Sequence, residues 1–255
     1  MPKTCSVRFY AELNDLIPAA WRGRWMPCEI AASPAVKDLI ERMGVPHTEV
    51  DLILVNGQSV GLAHPVETGD RVSVFPVFES LDISPIQHVR PAPLRRTAFV
   101  LDVHLGRLAR YLRMLGFDCL YDHDLDDAEL ARLSSKGRIL LTRDRGLLKR
   151  STVTHGYLVR DRYPLCQAAE VVRRFDLSDQ IQPFTRCLAC NEFLKAIPPE
   201  EVPASVPARV RSHHRGFARC TGCGSVFWRG SHYRAMVAMI HTITETAMSV
   251  PPLLE

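Results

Sequence analysis

No apolar stretch in this 255-residue chain approaches the roughly 18–20 residues that a membrane-spanning helix needs. A glycine-rich phosphate cradle is also missing: neither GxGxxG nor GxxxxGKS/T occurs, which disfavours nucleotide hydrolysis by a P-loop. No Ser-His-Asp or Cys-His arrangement stands out, and no segment repeats. The N-terminus, MPKTCSVRFYAEL, lacks the apolar core of a signal peptide, because its short strand-like run soon meets Glu12 and Asp15. A cytoplasmic protein is therefore the expectation. Lysine is scarce where charge is densest. Residues 90–174 hold 17 Lys+Arg, 15 of them Arg, against 10 Asp+Glu, a net +7, whereas residues 1–80 carry −3. An arginine-dominated segment with acids inside it suits a polyanion held against a metal centre, although an arginine-rich solvated surface gives the same bias.

What is present is an ordinary globular composition, 46% hydrophobic and 24% charged, with room for one large domain or two smaller ones. Of the eight cysteines, Cys187, Cys190, Cys220 and Cys223 form C-x2-C-x29-C-x2-C. Two such pairs supply four thiolates for a tetrahedral, structural Zn²⁺, and Gly222 and Gly224 suit a tight knuckle around Cys223. A redox dithiol is the competing reading for either pair alone. Cys119 and Cys166 read as buried small residues, and His213 and His214 as surface histidines.

The chain changes rhythm twice. Residues 4–80 read as a small α+β unit: a strand in TCSVRFYAEL, a helix in SPAVKDLIERMG capped by Ser33 with Pro34 first and Gly44 last, a strand turning at Asn56-Gly57, and a closing strand DRVSVFPVF. Pro85, Pro91 and Pro93, among arginines, mark a linker over 82–96. From Thr97, strand and helix alternate with short connections, which implies a parallel sheet. Leu105, Leu108, Leu112 and Leu115 form one helical stripe ending at Gly116. Beyond about Pro183 come the cysteine pairs, a proline-rich insert and the aromatic-basic stretch VFWRGSHYRAM.

The strands from Thr97 end in acids: Asp102 after AFVL, Asp122, Asp124, Asp126 and Asp127 after FDCLY, Asp144 after RILLT, and Asp161 after YLVR. Ligands of open α/β sheets sit outside the carboxyl ends of the strands, and carboxylates converging there repel unless a cation joins them. Hard oxygen ligands suit Mg²⁺ or Mn²⁺, which activates water and stabilises a leaving oxygen in phosphodiester hydrolysis. Asp102, Asp126 and Asp144 form the core candidate set, with Asp127, Asp122, Asp124 and Asp161 as helpers. Asp126 or Asp127 serves equally well as a helix N-cap, and Asp122 with Asp124 as a simple turn. Arg107, Arg110, Arg143, Arg145, Arg229 and Arg234 are the candidates for contact with nucleic acid. Phe227 and Trp228 either stack bases or pack against a small local core, the second being the simpler reading.

VLDVHLGRLARYLRMLGFDCLYDHDLDDAELARLSSKGRILLTRDRGLLKR strongly resembles the PIN-like ribonucleases of the Mut-seven C-terminal RNase family, over about residues 97–234 and including the cysteine pairs. The resemblance implies an α/β PIN-like nuclease domain (97–182), a zinc ribbon (183–236) and a C-terminal tail (237–255). It also implies Asp102 as the first acid, Asp126 or its neighbour Asp127 as the middle one, and Asp144 as the later one. VRFYAEL, VKDLIERMGVPHTEVDLILVNG and GDRVSVFPVF resemble the ubiquitin-like β-grasp domain that precedes such nucleases, and small sulfur carriers, which places that domain at 1–81. Carriers act through a free Gly-Gly end, whereas here the strand runs into Phe78-Glu79-Ser80, leaving docking of a protein partner or positioning of RNA. The expectation is a metal-dependent ribonuclease acting on RNA; the alternative is a non-catalytic RNA-binding or adaptor protein.

Overall fold

Hydrophobic alternation in the first eighty residues builds a sheet with one buried face. The computed structural model describes residues 3–30, 33–76, 88–89 and 97–249. The chain divides into two compact units, Met1–Arg96 with Asp127–Leu158, and Thr97–Asp126 with Val159–Glu255. In the first, β1 (Thr4–Phe9), β2 (Met26–Glu29), α1 (Val36–Arg42), β3 (Val50–Val55), β4 (Gln58–Ser59) and β5 (Arg71–Pro76) form a mixed sheet of order β2-β1-β5-β3-β4. Its central pair, β1 and β5, runs parallel with Val7 opposite Val72 and Phe9 opposite Val74, all buried. Parallel neighbours require a crossover, and α1 lies in it with Val36, Leu39 and Ile40 in the core. This is the ubiquitin-like β-grasp arrangement.

Local signals hold in places and yield in others. Asn56 (φ +52) and Gly57 (φ +86) make the two-residue hairpin turn from β3 to β4, and Gly44 (φ +100) stops α1 in the left-handed region that a side chain disfavours. The helix, however, starts at Val36 after Ala35, not at Pro34 after Ser33. Ala35 is drawn into a β-bridge with Pro65, so the residues before α1 are extended. The polar segment after β1 also returns as β2, which pairs antiparallel with β1. Pro27 obscures that strand in the sequence but is tolerated at the sheet edge. The expected linker at 82–96, apart from His88 and Val89, and the end of the strand DRVSVFPVF lie outside the described residues.

From Thr97 the elements are β6 (Ala98–Leu101), α2 (Gly106–Met114), β7 (Asp118–Leu120), α3 (Asp127–Ser135), β8 (Ile139–Thr142), α4 (Arg145–Leu148), β9 (Gly156–Leu158) and α5 (Pro164–Arg174). β6 pairs with β7 and β8 with β9, both in parallel. Every residue of β6 and β8 is buried, as in strands covered on both faces. Leu105, Leu108, Leu112 and Leu115 are all buried, and Gly116 (φ +101) ends the helix where a Cβ would stand 2.3 Å from the Gln182 carbonyl oxygen. Cys119 is buried as expected, whereas Cys166 is only half-buried.

The C-terminal part departs furthest from expectation. After the three-stranded antiparallel ribbon β10 (Leu194–Ile197), β11 (Phe217–Cys220) and β12 (Val226–Trp228), with α6 (Ala208–His213) inside the proline-rich insert, the chain forms α7 (Ser231–Met248). Residues 237–248, expected as a tail, are therefore helical and pack α7 against α5, with Ile243 and Ala247 buried. The pattern was hard to read because only those two residues of an 18-residue helix are fully covered.

Within the first unit, the β-grasp fold is fastened to the α4–β9 region by polar groups. Glu49, fully buried, accepts the Leu158 N–H at 2.6 Å, and Lys149 Nζ donates to the Glu41 carbonyl at 2.6 Å. His47, also buried, contacts Glu41 Oε1 through Nδ1 (2.6 Å) and the Val153 carbonyl through Nε2 (3.0 Å). Desolvation lowers the His47 pKa, against the opposing pull of Glu41 and the Val153 carbonyl; nearby Lys37 adds to the lowering. A histidine whose folded pKa lies below its unfolded value binds fewer protons when folded, so it favours folding above the unfolded pKa of about 6.5 and less as pH falls below it. Two outcomes are expected. Thermal melts of His47→Gln should lose part of the acid sensitivity seen for wild type below about pH 6.5. Glu49→Ala, which orphans a buried N–H, should lower stability by about 1–3 kcal/mol in denaturant titration.

Candidate metal centre and strand-end acids

The cysteine pairs fold into two matching knuckles. Each ends in a left-handed residue directly after its second cysteine, Asn191 and Gly224, both at φ +73. In the second knuckle the Gly222 and Cys223 N–H groups point at Cys220 Sγ, each at 3.4 Å. Gly222 is required by close approach, since a Cβ there would meet Glu192 Cγ at 2.6 Å. The four sulfurs all lie within 4.8 Å of one another, with Cys187 to Cys223 at 3.7 Å and Cys190 to Cys220 at 3.2 Å. Tetrahedral ligation at about 2.3 Å puts sulfurs about 3.8 Å apart, so the set fits a metal ion such as zinc. Burial pushes the Cys187 thiol up to about 12, whereas hydrogen bonds from the Ser225 side chain and backbone bring Cys223 down to about 6. Four thiolates around one ion would leave no open coordination position.

A buried arginine joins this centre to the parallel strands. Arg113, on α2 and 3% exposed, donates to the carbonyls of Cys119 (3.0 Å), Leu188 (3.1 Å) and Ala189 (2.7 Å), the last two inside the first knuckle. Asn191 accepts the Cys119 N–H and donates to Asp118 Oδ1, while Asp118 Oδ2 faces Arg186 at 4.0 Å. Asp118, at the start of β7, is thus a docking residue. Neither Arg113 nor Asn191 was legible as such: the first lies in a run of similar arginines, and the second differs from Gly224 in residue type while sharing its backbone role.

The strand-end acids share a local geometry. Asp102 accepts the His104 N–H (3.3 Å), Asp122 that of Asp124 (3.1 Å), Asp144 that of Gly146 (2.7 Å) and Asp161 that of Tyr163 (2.9 Å). Each therefore caps the turn two residues on, which is why aspartate recurs where a strand hands over to a helix. Asp102 is 7% exposed; Asp144 is exposed, with its own N–H on Thr142 Oγ1. Asp126 is exposed immediately before α3, and Asp127, its first residue, pairs with Arg150 at 3.0 Å. Asp102, Asp122, Asp124, Asp126 and Asp161 fall in one compact unit, Asp127 and Asp144 in the other. Among the described residues, the group of three or more His, Cys, Asp or Glu with ligand atoms within 4.8 Å is the cysteine set. Tyr121 Oη donates to the Val103 carbonyl, tying the end of β7 to the turn after Asp102, and Gly106 admits that ring.

Arg107 and Arg110 are exposed on α2, and Arg143 lies exposed beside Asp144. Arg145 reaches the Leu16 carbonyl at 3.3 Å, so it also helps hold the β-grasp fold. Arg229 lies over the Tyr233 ring at 5.3 Å, and Arg234 is exposed on α7. No described helix is long and apolar enough to cross a membrane.

Metal binding must expel the Cys187 proton, so retention should weaken with acid. Metal released to a chromogenic chelator should rise as pH is lowered from about 7 to about 5. Arg113→Ala leaves three carbonyls without their donor, and a stability loss of about 3 kcal/mol in denaturant titration is expected.

Residues 97–240 match the model of the Mut7-C RNAse domain, and residues 2–82 that of the Mut7-C ubiquitin domain. No curated protein matches. Among solved structures, Haloferax volcanii small archaeal modifier protein 1 is 17% identical, with a TM-score of 0.25 over 29% of this chain and 98% of its own. A second structure of that modifier, SAMP1, is likewise 17% identical, with a TM-score of 0.24 over 31% and 99%. By its larger match, which spans more than half of its length, the chain belongs to the Mut7-C RNAse domain family, carrying a Mut7-C ubiquitin domain at its N-terminus.

Proposed function

We propose that the chain is a metal-dependent ribonuclease that hydrolyses RNA phosphodiester bonds at the carboxyl ends of its parallel strands. The observation that carries this reading is the acid at the end of each strand, in particular Asp102, an almost buried carboxylate directly after the apolar β6. Asp102, Asp126 and Asp144 offer hard oxygen donors suited to Mg²⁺ or Mn²⁺. Such an ion supplies Lewis acidity that lowers the pKa of water and stabilises the leaving oxygen. Asp127, which has its own cation in Arg150, stands in support of Asp126. The His104 and Gly146 N–H groups hold the Asp102 and Asp144 carboxylates in place. Arg107, Arg110, Arg143, Arg229 and Arg234 neutralise backbone phosphates, with Arg145 sharing that task with its contact to Leu16. The four cysteines hold a structural Zn²⁺, and a reducing cytoplasm keeps their thiols available for it. The ubiquitin-like domain supplies a surface for a protein partner.

A second reading, a non-catalytic RNA-binding or adaptor protein, draws on the fact that four of the acids already serve as turn caps. Cleavage of labelled single-stranded and structured RNA with Mn²⁺, Mg²⁺ or no added ion separates the two. Asp102→Asn and Asp144→Asn, each checked for folding, should lose at least about 100-fold in cleavage rate, more than substitutions outside the ligand shell usually cost. Equal RNA binding by all three proteins with no cutting would establish the second reading instead.

A further inference from the structure

The ribbon's sheet has two faces. Ile197, Phe217, Val226 and Trp228 turn one of them onto Val202 and Val206, a small hydrophobic core of the ribbon itself. The strand registers place Ala218 and Phe227 on the opposite face, since Ala218 pairs with Phe227 and side chains alternate along each strand. A cleft of about 550 Å³, within the range for small-ligand sites, opens among Phe184, Phe227, Tyr233 and Met236, with Arg215 and Arg229 also lining it.

Three features define what the cleft would take. Its walls are aromatic: the Phe184 and Tyr233 rings lie 5.0 Å apart at 36°, and Phe227 stands on the sheet. Its charge has one sign, because among the described lining residues there are arginines and histidines but no acid. Its geometry is held against a cost, since Phe184 sits at φ +60, an unusual conformation for a bulky residue, fixed there by its N–H to the Met114 carbonyl (3.0 Å). Flat apolar walls suit a planar ring, and a cationic lining suits a phosphate.

We infer that this cleft is a binding site for one unpaired RNA nucleotide, its base stacked on Phe227 with its edge against Tyr233, whose ring already meets Phe184 and Arg229, and its phosphate met by Arg215 and Arg229. The inference rests on RNA being the substrate, as proposed above, and adds that the ribbon selects single-stranded over paired RNA. A base in a duplex has its faces stacked and its pairing edge engaged, whereas an unpaired base has a face to offer Phe227. Tyr233 lies just past β12 at the start of α7, so the helix that the sequence conceals supplies one wall of the site.

The test measures binding apart from cleavage. Fluorescence anisotropy of a labelled single-stranded oligoribonucleotide and of a blunt hairpin is followed in the Asp102→Asn protein without added Mg²⁺ or Mn²⁺, and cutting of both RNAs by wild type is measured separately. Added to that background, Phe227→Ala and Tyr233→Ala should each weaken single-strand binding about tenfold, with little change for the hairpin, and Tyr233→Phe should restore it. Metal content and thermal melts show whether each variant is folded, and 4-thiouridine in the single strand should crosslink to the peptide holding Phe227 or Tyr233 in the unsubstituted cleft. Unchanged single-strand affinity in the folded alanine variants, equal losses for hairpin and single strand, or displacement of the RNA by polyglutamate as readily as by unlabelled single strand would overturn the inference. Cleavage by wild type together with unchanged binding would remove the cleft and leave the nuclease; Tyr233-dependent binding without cleavage would support the cleft and remove the nuclease.

Discussion

Four sulfurs within 4.8 Å of one another cannot all ionise unless a cation sits among them, and the C-terminal third of the protein is organised around that constraint. The ribbon's own core amounts to Val202, Val206 and Phe217 with a few half-buried neighbours, too little to order some fifty residues unaided. A metal ion held by the four cysteines would make up the difference, because its binding free energy would become folding free energy.

From that centre the order spreads through backbone carbonyls. Arg113 spends its guanidinium on three of them, two in the first knuckle and one in β7, so the metal site and the parallel strands share a buried charge. A buried arginine is costly unless its donors are met, and here each bond it makes ties the ribbon to the strand that precedes the acidic turn. Glu49 and His47 use the same device in the other unit, where a carboxylate and an imidazole meet the backbone of Leu158 and Val153. Polar groups aimed at backbone atoms join these segments in a specific register, which apolar contact alone leaves less defined.

The aspartates at the strand ends share one local role. Asp102, Asp122, Asp144 and Asp161 each accept an N–H two residues on, a role that short acids fill at any strand-to-helix turn. The same placement sets carboxylate oxygens outside the carboxyl ends of the strands, where α/β sheets receive ligands. In the proposed nuclease, capping would also orient the groups that a divalent ion uses, so a substitution there would disturb the turn and the proposed chemistry together. Asparagine preserves the cap and removes the charge, so the two contributions can be separated.

The elements that follow from short-range physics were legible before any coordinates: the leucine stripe of α2, the Asn56-Gly57 turn, the alternation of strand and helix after Thr97, the acids at the strand ends and the spacing of the cysteines. Each is written in residues a few positions apart, where periodicity, turn chemistry and ligand count act locally. What escaped was set by partners distant in the chain. β2 is a strand because β1 offers it an edge, α1 starts late because Ala35 bridges to Pro65, and residues 237–248 are helical because α7 packs on α5. Arg113 looks like its neighbours Arg107 and Arg110 until the fold buries it against Leu188 and Ala189, some 75 positions away. Residue type and spacing by themselves determined the four-cysteine set and the acids at the strand ends; only the tertiary structure decided which of the many arginines hold the protein together and which remain exposed, because burial depends on what packs overhead.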